Sequence, residues 1–312
     1  MNYLVTGGMG FVGSHVVRLL LKQGHHVTIF DQKSKALLPK QMEDEFADSR
    51  IQVINGDIID INALIKVCRD INVDAIIHTA AVIGSENPAL TAKINCDGTI
   101  NVLDTAKLLG LKRVVCTSSL AVFGPPEKYR EEYISNDAPH FPENIYGASK
   151  SFGEYCANYY FKAFSLDVIS IRLTHVYGIG RSTEGIGKII DDELFRKPAL
   201  GQTGRVPSGD SIHNWIYVED AARALVMASQ VNQTKSRAFT AGGYFCSIRD
   251  VAAYIKSLIP GADIVLLPGK TNYAYKFDVR PIKEQIGYEP LWSLEDGTRA
   301  IIDQVHKQYV AY

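Results

Sequence analysis

The sequence lacks an excess of charge of either sign. Its 312 residues include 33 Lys and Arg against 34 Asp and Glu, which gives a formal net charge of −1. A near-neutral balance offers little attraction to nucleic acid or to an anionic membrane surface. No apolar run approaches the roughly 20 residues that a membrane span needs. We therefore expect neither a nucleic-acid partner nor a membrane partner.

Cysteines are also few. The five thiols are scattered, and no pair has metal-ligand or redox spacing: Cys68, Cys96, Cys116, Cys156 and Cys246. We expect reduced cysteines and no metal site. The chain opens on a strand pattern and shows no basic segment followed by an apolar one, so we expect no secretory signal and a cytoplasmic protein.

The first 31 residues combine a strand, a glycine turn and a helix. Residues 2–6 have the strand pattern, Gly7, Gly10 and Gly13 mark the turn, and helical spacing follows. Glycines let the backbone approach a pyrophosphate, and a helix N-terminus favours an anion. Asp31 ends the next strand, where a carboxylate can bind ribose hydroxyls and repel a 2′-phosphate. The pattern predicts NAD as the cofactor, in preference to NADP.

Strand and helix patterns alternate as far as about residue 173. Further strands are predicted at residues 26–30, 51–54, 75–79, 113–118 and 167–173. This alternation is typical of an α/β fold with a Rossmann-type, doubly wound parallel sheet, whose ligands bind beyond the carboxyl ends of the strands. We predict an NAD-binding domain over residues 1–173, to which residues 215–235 return. Residues 174–214 and 236–312 are predicted to form a smaller C-terminal substrate-binding lobe.

Tyr146 and Lys150 are four residues apart on a predicted helix, so both project from one face. An ammonium about 5 Å from a phenol stabilises the phenolate by about 3 kcal/mol at an effective dielectric constant near 20, or roughly 2 pKa units. We expect the pKa of Tyr146 to fall toward neutrality. The hydroxyl could then exchange a proton with an alcohol or a ketone.

Together, Thr6-Gly7-x-x-Gly10-x-x-Gly13 and Tyr146-x-x-x-Lys150 resemble the extended short-chain dehydrogenase/reductase family, in its branch of NAD-dependent nucleotide-sugar epimerases and dehydratases. Further motifs match in order across nearly the whole chain: Gly56-Asp57-Ile58, His78-Thr-Ala-Ala81, Asn95-x-x-Gly98-Thr99, Thr117-Ser-Ser119, Val122-Phe-Gly124, Arg172-x-x-His-Val-Tyr-Gly178 and Trp215-Ile-Tyr-Val-Glu-Asp220. Each motif alone is weak, but their joint order is specific.

The resemblance implies a catalytic set of Ser119, Tyr146 and Lys150. Tyr146 would exchange the hydroxyl proton, Ser119 would bind the same oxygen, and Lys150 would bind the nicotinamide ribose. Ser118 is the competing candidate for the serine role. The resemblance also implies a set of cofactor-binding residues: Gly7, Gly10, Phe11, Val12, Gly13, Asp31, Gln32, Asp57, Ile58, Thr79, Ala80, Ala81, Tyr146 and Lys150.

The substrate side departs from the family pattern. His175 replaces the Asn that usually precedes Val-Tyr-Gly, and His213 stands where an arginine is usual. His175, His213 and Ser118 are candidate substrate-binding residues. The two histidines can be partial anion anchors or packing residues of the lobe. We expect residues 124–145, which join Ser119 to Tyr146, to form a wall of the substrate pocket.

Three functions remain open. The first is an epimerase of a sugar or nucleotide sugar, and the second is a dehydrogenase or reductase of a non-nucleotide sugar or hydroxy or keto compound. The third is a non-catalytic NAD-sensing module, against which the intact Ser119, Tyr146 and Lys150 argue. Leu120 and Ala121 replace the Asp-Glu pair of the dehydratases, so we expect no dehydratase. We expect a small-molecule substrate and a homodimer.

Overall fold

The computed structural model describes residues 1–33, 44–83, 87–181, 186–271 and 276–309. The strands are β1 (Asn2–Thr6), β2 (His26–Asp31), β3 (Ile51–Asn55), β4 (Ala75–His78), β5 (Arg113–Ser119), β6 (Tyr133–Ile134), β7 (Val168–Leu173), β8 (His175–Tyr177), β9 (Gly204–Val206), β10 (Ile212–Tyr217), β11 (Ala238–Ala241), β12 (Tyr244–Ser247), β13 (Ile264–Leu266) and β14 (Lys276–Phe277).

The α-helices within these ranges are α1 (Phe11–Lys22), α2 (Ile61–Asp70), α3 (Pro88–Ala92), α4 (Gly98–Leu109), α5 (Ile145–Phe164), α6 (Ile186–Asp191), α7 (Lys197–Ala199), α8 (Val218–Gln230), α9 (Ile248–Leu258), α10 (Arg280–Ile286) and α11 (Leu294–Tyr309). A π-helical turn joins α3 to α4, and another joins α6 to α7. Across the described ranges, no helix combines the length and the apolarity that crossing a membrane requires.

A parallel sheet forms the centre of the molecule. In the described part of the chain it has seven strands in the order β11-β7-β5-β4-β1-β2-β3, and every neighbouring pair is parallel. The order reverses between β1 and β4, which creates the crevice where ligands of such sheets bind. The predicted α/β fold with a doubly wound parallel sheet is confirmed.

Helices cover both faces of this sheet, because successive side chains of a strand point to opposite faces. Tyr3 and Val5 of β1 pack into a cluster with Val16 of α1 and Leu225 of α8. Leu4 packs on the opposite face in a cluster that includes residues of α2, α4 and α5. Burial on both faces explains why the strands read as continuous apolar runs rather than as alternating ones.

The remaining strands form small sheets outside the large one. Strand β10 pairs with β8 in parallel and with β12 antiparallel, while β9 pairs with β13 and β6 with β14. Helix α9 opens with the capping box that the sequence indicates, since Ser247 and Asp250 exchange side-chain and backbone hydrogen bonds.

Two details of the predicted domain boundaries differ from the structure. Strand β10 pairs with β8 and β12 outside the large sheet, whereas α8 packs against α1 and against β4, β5 and β7 of the large sheet. Strand β11 pairs with β7 and belongs to the large sheet, whereas we expected residues 236–241 in the lobe. A short apolar strand does not reveal which sheet edge it will join. The domain division itself stays a prediction.

Candidate active site

A cavity of about 570 Å³ opens at the carboxyl ends of β1, β2, β4, β5 and β7. Its lining includes every cofactor-binding residue that the resemblance implies: Gly7, Gly10, Phe11, Val12, Gly13, Asp31, Gln32, Asp57, Ile58, Thr79, Ala80, Ala81, Tyr146 and Lys150. Ser118, Ser119 and His175 also line it, whereas His213 does not. Parallel strands bring these side chains to one edge of the sheet, although they are far apart in sequence.

The glycine turn leaves no room for side chains. Gly7 has a φ of +71°, and a Cβ there would lie 2.6 Å from the backbone nitrogen of Ala80. A Cβ on Gly13 would lie 2.2 Å from the carbonyl oxygen of Gly7. No side chain caps the N-terminus of α1 at Gly10, and the first turn carries no acidic residue. This close, uncapped turn fits the pyrophosphate of a dinucleotide, which bare N–H groups and a helix N-terminus favour.

Asp31 is fixed beside the same turn. Its carboxylate accepts hydrogen bonds from the backbone N–H groups of Met9 at 2.9 Å and Lys33 at 3.0 Å. Asp57, at the end of the next strand, accepts from the backbone of Ile59 at 3.0 Å. Two carboxylates at the ends of successive strands therefore line the cavity, as expected of groups that face the ribose of an adenosine.

Tyr146 and Ser119 both line the cavity. Asn144 caps α5 by accepting from the backbone of Gly147 at 2.8 Å, which places Tyr146 in the first turn. Burial raises the pKa of the Tyr146 hydroxyl, while a hydrogen bond with Ser119 and the charge of Arg181 act in the opposite direction. Both side chains line the cavity, and the effect of Ser119 on the pKa of Tyr146 indicates that their hydroxyls lie near each other.

Lys150 lies beneath Tyr146, with Nζ 5.8 Å from the centroid of the tyrosine ring. The ammonium donates a hydrogen bond of 2.8 Å to the carbonyl oxygen of Thr117, and burial lowers the pKa of Lys150 to about 8. The prediction of a lowered Tyr146 pKa is wrong for this structure. The cost of burying a phenolate is the largest effect on the hydroxyl, and it raises the pKa.

The geometry separates the two candidate serines. The Ser118 hydroxyl is buried and donates a hydrogen bond of 2.5 Å to the carboxylate of Glu154. The Ser119 hydroxyl accepts from the backbone N–H of Ala121 at 3.2 Å, and Ser119 acts to lower the pKa of Tyr146. Because the Ser118 hydroxyl is bonded to Glu154, the geometry favours Ser119 for the serine role, and that role stays a prediction.

The two histidines stack on each other, with ring centroids 4.6 Å apart, and both contact the ring of Trp215. Burial lowers the pKa of His213 to about 4 and lowers that of His175 well below its usual range. Each has a buried Nε2 atom with no hydrogen-bond partner among the described residues. Burial therefore keeps both imidazoles neutral near pH 7. Whether they are anion anchors or packing residues stays a prediction.

Sequence reasoning missed Arg181. It lines the cavity, and its guanidinium carbon lies 4.6 Å from the centroid of the Phe11 ring. Its Nε donates to Asp191 at 2.6 Å, and burial raises the pKa of the Asp191 carboxyl to about 6. No motif marks this arginine, because the contact with Phe11 joins segments 170 residues apart.

Residues 124–145 are not among the residues that line this cavity, so their expected role as a wall of the substrate pocket stays a prediction. The segment instead covers a small apolar cluster of Val122, Phe123, Ile134 and Phe277. Phe123 is fully buried there, with its ring centroid 5.5 Å from that of Phe277. An apolar cluster beside the segment holds it against β14 rather than over the cavity.

Residues 3–242 match the NAD dependent epimerase/dehydratase family. The chain belongs to this family. The prediction of an NAD-dependent extended short-chain dehydrogenase/reductase is confirmed, and so is NAD as the cofactor.

Individual relatives cover the full chain. It is 28% identical to the UDP-glucose 4-epimerase of Mycolicibacterium smegmatis, over 97% of this chain and 98% of that one. It is 29% identical to UDP-glucuronic acid decarboxylase 1 of Xenopus tropicalis, over 98% of this chain and 72% of that one. A double mutant of the dTDP-glucose 4,6-dehydratase from Streptomyces venezuelae, solved with NAD bound, has a TM-score of 0.84 and 25% identity, over 99% and 98% of the two chains.

These relatives correct one expectation. The substitution of Leu120 and Ala121 for Asp-Glu led us to exclude a dehydratase. Similar chains nevertheless include a dTDP-glucose 4,6-dehydratase and a UDP-glucuronic acid decarboxylase. The exclusion is wrong, because two residues next to the catalytic serine are too narrow a basis for removing a reaction class that full-length relatives perform.

Proposed function

We propose that the protein is an NAD-dependent epimerase of a nucleotide-linked sugar. The observation that carries the proposal is that Ser119, Tyr146 and the buried Lys150 line one cavity, with Lys150 Nζ 5.8 Å from the centroid of the Tyr146 ring. A sugar hydroxyl that approaches this pair meets a hydrogen-bond partner and a proton acceptor on the same oxygen. Full-length similarity to UDP-sugar enzymes supports the choice of a nucleotide-linked substrate.

When bound, NAD supplies reversible hydride transfer at the sugar carbon. Tyr146 takes the proton of the sugar hydroxyl as that carbon is oxidised and returns it when the carbon is reduced from the other face. Ser119 holds the oxygen throughout, since it lines the same cavity as Tyr146. The charge of Lys150 favours the phenolate form of Tyr146 at the moment of proton transfer.

Arg181 supports a substrate with an anionic group. Arg181, Lys33 and Lys150 are the lysines and arginines among the described residues that line the cavity. The Nε of Arg181 is paired with Asp191, and the charge of Arg181 acts to lower the pKa of Tyr146. A guanidinium can bind two oxygens of a phosphate or carboxylate at once. The neutral His175 and its unpartnered Nε2 are suited to an uncharged hydroxyl or to a single hydrogen bond.

The test is interconversion without added cofactor. The purified protein is incubated with a panel of nucleotide sugars and free sugars, and products are separated by chromatography while absorbance at 340 nm follows NADH. Formation of an epimer without net NADH supports the proposal. Net NADH formation, with an oxidised product, would instead establish the dehydrogenase alternative.

Tyr146→Phe should reduce turnover at least about 100-fold, the low end for general acid–base catalysis. NAD affinity should remain nearly unchanged, because the ring is kept. Tyr155→Phe is the matched control, since that tyrosine lies on the same helix and is 66% exposed. Near-normal turnover by Tyr146→Phe would remove Tyr146 from the mechanism.

A second candidate is decarboxylation or dehydration of a nucleotide-linked sugar. The specific support is the similarity to UDP-glucuronic acid decarboxylase 1, together with a cavity arginine that can bind a carboxylate. Mass spectrometry of the same reactions separates the outcomes. An epimer keeps the mass of the substrate, whereas decarboxylation and dehydration lower it by carbon dioxide or by water.

We further propose a cytoplasmic homodimer. The described cysteines are free thiols, which suits a reducing compartment. Adjacent helices α4 and α5 expose large side chains, among them Leu108 at 62%, Tyr155 at 66% and Tyr159 at 61%. Sedimentation of the wild type should give a dimer, and Leu108→Glu should shift it toward the monomer. If the wild type sediments as a monomer at micromolar concentration, the proposed homodimer is wrong.

A further inference from the structure

A buried ion pair lies directly behind the catalytic residues. Glu154 of α5 accepts from Arg172 of β7, with Nε to Oε1 at 2.8 Å and Nη2 to Oε2 at 2.6 Å. Only 6% and 4% of the two side chains are exposed. Two charges at such depth are costly to desolvate, and a well-packed apolar pair would often serve stability as well. The pair therefore calls for a role other than stability.

The position of Glu154 indicates that role. It is four residues after Lys150 on α5 and shares that helix with Tyr146. The same carboxylate accepts the hydrogen bond of 2.5 Å from Ser118, whose neighbour is Ser119. One side chain thus connects the helix that carries the proton acceptor to the strand end that carries its hydroxyl partner.

Arg172 extends the connection to the rest of the site. It lies opposite Ser118 in the register of β5 and β7. Its Nη1 donates to the carbonyl oxygen of Asn136 at 2.6 Å, and the side chain of Asn136 donates to Ala238 of β11 at 2.6 Å. The strand end, the helix and the segment between them are therefore held by one charged pair.

We propose that Glu154 is a positioning residue that ties the end of β5 to α5 and so keeps the Ser119 and Tyr146 hydroxyls on one substrate oxygen. The inference rests on the proposed function, because the shared oxygen belongs to its substrate. Glu154 contacts neither substrate nor cofactor and acts through Ser118 and Lys150.

Ser118→Ala removes the hydrogen bond that links the end of β5 to Glu154 of α5, and it leaves the ion pair between Glu154 and Arg172 in place. We expect kcat to fall roughly 10- to 100-fold, since a misplacement of about 1 Å can cost 10²-fold. KM and NAD affinity should not change, because Ser119, Tyr146 and the glycine turn remain. Ser170→Ala is the matched control: this serine is equally buried on the neighbouring strand, and its hydroxyl has no partner among the described residues. Equal kcat for the two variants would overturn the proposal.

Glu154→Gln tests the charge, because the amide oxygen can still accept from Ser118. Lys150 is faced by the thiols of Cys96 and Cys116, by Glu154, and by His78, whose pKa burial lowers to about 3. The negative charge of Glu154 raises the pKa of Lys150 against the effect of burial. The alkaline limb of the kcat profile should therefore move to lower pH in Glu154→Gln. An alkaline limb at the wild-type pH would contradict the proposal.

A readout without turnover separates this inference from the proposed function. Crystal structures of the wild type and Ser118→Ala with NAD should differ in the distance between Ser119 Oγ and Tyr146 Oη, which should exceed hydrogen-bond range in the variant. An unchanged distance overturns the positioning role, even if a nucleotide sugar is turned over. A wild type that converts no sugar overturns the proposed function alone.

Discussion

Replacing Gly13 by alanine should weaken NAD binding sharply. A Cβ at this position would lie 2.2 Å from the carbonyl oxygen of Gly7 and 2.7 Å from Oγ1 of Thr79. Ordinary contact begins at 3.4 Å, so the start of α1 must move by about 1.2 Å from the Gly7 carbonyl. The atom that the new Cβ would meet is the backbone oxygen of Gly7, not the end of a flexible side chain. A change of rotamer therefore cannot relieve the contact.

The magnitude follows from the cost of overpacking, typically about 1–3 kcal/mol. Relief of the overlap displaces the N–H groups at the N-terminus of α1. The free energy of NAD binding should then weaken by about the same 1–3 kcal/mol. At about 1.4 kcal/mol per tenfold, the dissociation constant should rise roughly 5- to 150-fold. Isothermal titration calorimetry with NAD measures this directly, and thermal unfolding reports whether the variant is folded.

Gly153→Ala is the matched control. Gly153 lies inside helix α5, and a Cβ there would meet only Thr99, at 3.8 Å, among the described atoms within 4 Å. Alanine is favoured over glycine in a helix by up to about 1 kcal/mol, so this variant should be as stable as the wild type or more so. If Gly13→Ala binds NAD within threefold of the wild type, the close approach around the glycine turn is not what shapes the cofactor site.

Three further outcomes are expected. Asp31→Ser should shift preference from NADH toward NADPH, because the carboxylate that can bind ribose hydroxyls also repels a 2′-phosphate; a wild type that already binds NADPH more tightly contradicts this role. Substrate affinity should not change between pH 8 and pH 6, since burial lowers the pKa of His213 to about 4 and that of His175 well below 6.5. If calorimetry shows that affinity rises as pH falls, the histidines become charged in this range and the prediction is wrong. The free energy of unfolding of the wild type, measured in urea, should fall as pH drops from about 6.5 toward 4. His213 is protonated at its ordinary pKa in the unfolded chain but only near pH 4 in the folded chain, so protons stabilise the unfolded chain. His213→Asn should reduce that loss of stability.

Local patterns were enough to predict the large sheet and the cofactor side of the site. Strand β1, the glycine turn and α1 are contiguous in sequence, so spacing alone indicates their geometry. Asp31, Asp57 and Ala80 follow successive strands, and parallel strands end at a common edge. The prediction that Tyr146 and Lys150 lie on one face of a helix required only the helical period. Each prediction relied on contacts within a segment or on a rule that holds for all parallel sheets.

The substrate side depended on tertiary contacts that no period encodes. Arg181 reaches the cavity because it pairs with Asp191 and packs on Phe11, and Ser118 is separated from Ser119 by its bond to Glu154. Tertiary contacts also decide which sheet β11 joins, because the edge of the large sheet and the edge of a small sheet can both pair with a short apolar strand.

Charge states were the other property that only the fold decided. The sequence gives each ionisable group its ordinary pKa, and spacing suggested that Lys150 would lower the pKa of Tyr146. Burial raises it instead, and burial keeps His175 and His213 neutral. The sequence was enough to predict which residues line the cavity, because that follows from strand order and helical period. Tertiary structure decided which of them are charged and which face the substrate, because desolvation depends on every segment that packs around a group.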